Sequence, residues 1–268
     1  MILFKRVGDS FRHIEDREWL LLFFETLGVL VGILLAFELQ EWGQQRADAA
    51  KHHQLMERLF EESELDVILL RDRRDVIRSS VNTEIQFAEK LSGGECPPEA
   101  LWKALSTINH YPAFEAPRSV YQELMGAGGL SSIEQERVRY SIAQFNSDLD
   151  WVASQNDYFR RVRTEPVPDE DPRLDQRYDP GANEPLVQSF DRPALCQDHG
   201  FRNRMLSAVR NHRVMLDYHD TVTDDAIYMC GVIGESLGRR CRPQRGGELV
   251  GDDAKTLQQA IADERKAG

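Results

Sequence analysis

The chain has 268 residues, with 45 acidic against 33 basic side chains and a net charge of −12. That balance excludes the basic face a nucleic-acid binder needs to neutralise phosphates. The 41% hydrophobic fraction is too high for a disordered chain, and beyond the first ~45 residues the length suits one domain, or one domain on a stalk.

Residues 1–18 form a short N-terminal arm. From Trp19 to Phe37 the sequence is apolar and carries a single charge, Glu25. At ~1.5 Å per helical residue this run covers about 28 Å, close to a bilayer core of roughly 30 Å. Trp19 and Trp42 bracket it about 35 Å apart along a helix, a spacing that puts indole rings at the two membrane interfaces. Residues 19–42 are therefore predicted to be an uncleaved transmembrane helix. Lys5, Arg6, Arg12 and Arg17 precede it, while Arg46, Lys51 and Arg58 follow at greater distance. The positive-inside rule then places the N-terminus in the cytoplasm and the large domain outside.

Residues 43–92 continue as a long stalk helix. Met56, Phe60, Ser63, Val67, Leu70, Arg74, Ile77, Val81, Ile85, Ala88 and Leu91 recur at three- and four-residue steps, the period of a packed helical seam. Ser63 and Arg74 interrupt a perfect coiled coil, and the remaining Glu, Asp and Arg read as a solvated face. Ser92-Gly93-Gly94 and Pro97-Pro98 stop the helix. The region 93–163 holds short helices over 99–108 and 119–125. A long one then runs to about Val162, capped at Ser131 or Ser132, with Glu134 and Glu136 in its first turn. Its seam is Val138, Ile142, Phe145, Leu149, Val152, Asn156 and Phe159. The region 164–199 contains Pro166, Pro168, Pro172, Pro180, Pro185 and Pro193 and reads as an irregular loop.

The last long helix occupies 200–238, with its seam at Met205, Val209, His212, Leu216, His219, Thr223, Ala226, Cys230, Ile233 and Leu237. Gly231 and Gly234 allow a bend or a close approach. A tail, 239–268, ends in a short helix over 252–266. No strand pattern stands out. The expected fold is all-α: a transmembrane helix continuing into a helical stalk, then an antiparallel helical bundle.

Gly28-x-x-x-Gly32-x-x-x-Ala36 is a small-xxx-small series of the kind that lets membrane helices approach closely. Glu25 lies within about 80° of all three on the helix, and an ionisable group at that depth is costly unless it faces protein or water. Both features aim one face at a partner, either a second copy or another membrane protein. His212 and His219, seven apart on one seam, are expected to form a buried polar layer with Asn156. A metal or pH-sensing role is the alternative reading of the two histidines.

Four cysteines suit two disulfides in an oxidising compartment. Cys196 precedes the last helix and Cys230 lies about 45 Å along it, so Cys196 is too far to bond with Cys230 or with Cys241 beyond it. That leaves Cys96 with Cys196 and Cys230 with Cys241, or four unbonded thiols.

The segment Phe24-Glu25-Thr26-Leu27-Gly28 through Gly32-Ile33-Leu34-Leu35-Ala36, followed by Glu38 and Glu41-Trp42, resembles the anchor of an uncharacterised bacterial family of single-pass membrane proteins. Tyr121-Gln122-Glu123-Leu124 and Phe201-Arg202-Asn203 extend the likeness. The resemblance implies a tethered helical domain of unknown function, and the four cysteines and the proline-rich connection depart from its pattern.

No phosphate loop, Gly-x-Ser-x-Gly, His-Glu-x-x-His or Cys–His nucleophile arrangement occurs in the sequence. The sequence predicts no enzyme, no cofactor and no metal. It predicts a bacterial inner-membrane protein with a periplasmic interaction domain, partnered by the bilayer and by a second copy or another membrane protein, and not by nucleic acid. A sensor or ligand-binding domain, and an enzyme with an unrecognised site, are the alternatives.

Overall fold

The computed structural model describes residues 16–112, 115–181 and 186–243, with the helical backbone alone for 16–22 and 24. The chain is mostly helical, with one small two-stranded sheet. It divides into two units between Leu55 and Met56.

Helix α1 spans Asp16–Ser92. A run this long needs no internal proline, and its sequence has none. It ends where Gly94 adopts φ 78°, a left-handed conformation that costs glycine nothing. There Glu95 N–H donates to the Lys90 carbonyl at 3.0 Å, satisfying a carbonyl that the helix end would otherwise orphan.

In the unit beginning at Met56, a 3-10 turn (Glu99–Leu101) and the short α2 (Ala104–Thr107) follow. Helix α3 (Ser119–Gly126) is capped from afar. The Glu62 carboxylate on α1 accepts from Ser119 Oγ at 2.9 Å, Val120 N–H at 2.9 Å and Tyr121 N–H at 3.0 Å, which neutralises the positive helix start. Helix α4 spans Glu136–Val162. It starts beyond the expected serine caps, because Ser131 and Ser132 bond the carbonyls of Gly128 and Gly129 within a 3-10 turn.

The proline-rich segment expected as a loop contains an antiparallel hairpin. Strand β1 (Leu174–Tyr178) pairs with β2 (Leu186–Phe190), with Leu174 opposite Phe190 and Tyr178 opposite Leu186. Strong periodicity is missing because both faces are largely exposed. Its base is fastened by Arg173, which donates to Asp171 at 2.5 Å and to Asp198 at 2.9 Å. Helix α5 (Arg192–Gln197) begins at Asp191, and α6 (His199–Ser236) at Asp198. Each of these aspartates accepts from a first-turn N–H, Ala194 and Gly200 respectively.

Helices α1, α4 and α6 supply most of the core. Every expected seam residue of α4 is buried, as is every one of α6 through Ile233. On α1 the expected Ile85 is only half-buried, and Phe87 is fully buried instead. Phe87, Trp102 and Phe201 pack edge-on or stacked at centroid distances of 5.2–6.3 Å. Around them Leu91, Ile108, Leu195 and Met205 complete one apolar cluster. Such ring pairs contribute about 0.5–1.5 kcal/mol each beyond burial.

The solvated-face reading of α1 needs correction. Glu62, Asp66 and Glu84 are 8%, 2% and 0% exposed. Each is placed on the packed side by helical spacing and used there for a polar contact or kept protonated. The expected terminal helix over 252–266 and most of the N-terminal arm lie outside the described residues.

Candidate functional site

On the apolar stretch of α1, Glu25, Gly28, Gly32 and Ala36 all fall on exposed helix. A methyl group added at Gly28 or Gly32 would meet nothing within 4 Å, so the face is open for a second helix to lie close. Large apolar side chains alongside are exposed as well, Phe23 at 62% and Leu34 at 60%. Trp42 is exposed, with the Arg46 guanidinium 4.3 Å over its ring; Trp19 lies on the helix.

The second site lies in the unit beginning at Met56. Asn156, His212 and His219 are all buried, at 1%, 1% and 0% exposure, and they do not bond to one another. Asn156 instead donates from Nδ2 to the Pro112 carbonyl at 2.5 Å, and Arg160 donates from Nε to the Tyr111 carbonyl at 2.7 Å. Together they pin the segment after α2 against α4. His219 is held neutral: burial first, then the charges of Arg73 and His212, push its pKa down to about 4.

The partner of His212 is Glu84. Its Oε2 lies 2.8 Å from His212 Nδ1, and its Oε1 accepts from Thr107 Oγ1 at 2.9 Å. A carboxylate accepting on both oxygens fixes the proton on Nδ1 and so orients the ring. Tyr111 packs edge-on to that ring at 5.4 Å. Burial, with the Glu84 charge beside it, pushes the Tyr111 phenol up to about 12.

Glu84 escaped the sequence reading although its signal was present. Stepping four, three, four and three from Ile77 gives Val81, Glu84, Ala88 and Leu91, a seam on which Glu84 and not Ile85 faces inward. A charged residue on such a seam marks a buried partner.

His212 also lines a cavity of about 310 Å³, together with Leu69, Asp72, Arg73, Val76, Ile77, Ser80, His110 and Pro112. Among the described residues, no group of three or more His, Cys, Asp or Glu side chains is placed to hold a metal ion.

The cysteines form two disulfides. Cys96 joins Cys196 with Cα atoms 5.4 Å apart, tying the turn after α1 to α5. Cys230 joins Cys241 at 5.7 Å, folding the chain back along the end of α6.

The chain matches no protein-family model, no curated protein and no solved structure.

Proposed function

We propose that this is a single-pass protein of the bacterial inner membrane that works by interaction. Its anchor is the apolar stretch of α1, its N-terminus is cytoplasmic and its main domain is a periplasmic antiparallel helical bundle on a stalk. In this reading the face of Glu25, Gly28, Gly32 and Ala36 packs against a second copy or another membrane protein. The likeness of the anchor to that of the uncharacterised bacterial family belongs to the same reading.

The observation that carries it is the exposure of the apolar stretch. The most apolar window of α1 has a mean hydropathy of 1.3 and is 0% buried. A core helix of that composition would be covered by its own fold, whereas lipid tails cover a membrane helix from outside. Two disulfides suit an oxidising compartment. Contacts between α1 and α6 run in opposite senses along the chain, Arg78 with Asp220 and Glu84 with His212, which supports the bundle.

The test has two parts. Carbonate-washed membranes should retain the full chain, and a reporter fused after residue 268 should be active only outside the cytoplasm. Gly28→Leu with Gly32→Leu should then lower in-membrane association at least about tenfold, equivalent to ~1.4 kcal/mol. Release by carbonate would remove the anchor. Association unchanged in the double variant would remove the interaction face.

A further inference from the structure

We propose that the cavity beside His212 is a binding site for a small organic carboxylate with an apolar body. At about 310 Å³ the cavity is at the small end of the range for ligand sites, roughly 300–1,000 Å³. It is far larger than the ~30 Å³ share of a single water. Leu69, Val76, Ile77 and Pro112 give it apolar walls. Water filling such a space gains few hydrogen bonds there, so an apolar group that displaces it gains affinity.

The polar groups on the walls identify what the ligand carries. His212 is 1% exposed. Its Nδ1 is committed to Glu84 at 2.8 Å, while its Nε2 is buried and makes no hydrogen bond among the described residues. Leaving a buried polar nitrogen in that state is destabilising, and a ligand atom at Nε2 relieves it.

Arg73 decides the sign of the ligand's charge. It lines the same cavity and is close enough to His219 to act on it electrostatically. A cationic ligand would be repelled by it. A carboxylate can take a forked pair of hydrogen bonds from the guanidinium, with the His212 ring lining the same cavity. Asp72 also lines the cavity and is exposed. Leu69 and Val76 are 42% and 64% exposed, so the site has an entrance from solvent.

The experiment uses the full chain in mild detergent, with benzoate as probe and benzamide as its uncharged match. Titration calorimetry and the shift in unfolding temperature are the two readouts. We expect saturable benzoate binding, with benzamide at least about tenfold weaker. Arg73→Gln changes a half-exposed side chain and should fold; its benzoate affinity should fall about tenfold or more. Val76→Trp, which places a ring at the exposed mouth, should abolish binding without lowering the unfolding temperature in the absence of probe. The proposal is overturned if benzoate does not saturate by about 10 mM, or if benzamide binds equally well. It is equally overturned if Val76→Trp and Arg73→Gln bind benzoate like the unsubstituted protein. None of these readouts depends on the anchor face.

Discussion

Asp66 offers a test of the buried acids, with the sign of its effect set by linkage. It lies on the packed side of α1, 2% exposed. Burial first, then the charge of Glu62, push its carboxyl up to about 8, with Arg118 pulling the other way. In the unfolded chain an aspartate ionises near 3.9. Between those two values the folded protein holds a proton that the unfolded chain has lost. Stability from this site therefore falls as pH rises through the window and levels off above about 8. Asp66→Asn keeps the shape and cannot ionise, so it removes this dependence.

At about 1.36 kcal/mol per pH unit, the advantage of the variant should grow by about 4 kcal/mol between about pH 5 and about pH 9. Comparing the two proteins cancels the other titrating groups. Asp225, raised to about 7 by burial and then by its hydrogen bond with Asp148, acts in the same direction as Asp66. His219, lowered to about 4, acts in the opposite one, losing stability as pH falls from 6.5 through 4. The assay is guanidinium unfolding of the full chain in mild detergent, followed by circular dichroism. Parallel pH profiles for the two proteins would refute the assignment of Asp66 as a protonated core acid.

Glu84→Ala leaves the buried His212 Nδ1 without its acceptor and Thr107 Oγ1 with only the Ala104 carbonyl at 3.3 Å, and should cost about 3–5 kcal/mol; a cost below about 1 kcal/mol in the same unfolding assay would mean that the pair does not hold the two helices together. A methyl group at Gly234 would lie 2.9 Å from Phe60 Cε2 and 3.0 Å from the Arg239 carbonyl, so Gly234→Ala should cost about 1–3 kcal/mol. Gly126→Ala, where the added group meets nothing within 4 Å, is the control and should show no such loss. Peptide mapping without reductant should recover Cys96 linked to Cys196 and Cys230 linked to Cys241, and a peptide joining Cys196 to Cys241 would contradict the fold. Closing a loop with a sequence separation of 100 stabilises by about 4–5 kcal/mol in the chain-entropy treatment. Replacing Cys96 and Cys196 by alanine should lower the unfolding temperature accordingly.

The sequence by itself determined where the long helices lie and which sides of them are apolar, since a 3.6-residue period and a stop such as Gly94 are local properties. Val138 through Phe159 on α4 and Met205 through Ile233 on α6 were legible for that reason, as was the exposed apolar stretch around Gly28 and Gly32. Tertiary structure alone decided which partners the polar residues on those sides meet. Glu84 and His212 are 128 residues apart in sequence, and neither carries a local mark of the other. The three acids Glu62, Asp66 and Glu84 look solvated in sequence because a carboxylate normally is. Each enters the core only because something distant, the start of α3 for Glu62 and His212 for Glu84, or protonation in the case of Asp66, offsets its desolvation. The hairpin at Leu174–Tyr178 and Leu186–Phe190 was equally hidden, since its main restraints are a backbone ladder and the Arg173 bridge to Asp171 and Asp198 rather than an apolar pattern. The cavity beside His212 exists only where α1, the segment after α2 and α6 meet, and a linear pattern cannot encode a space bounded by three separate stretches of chain.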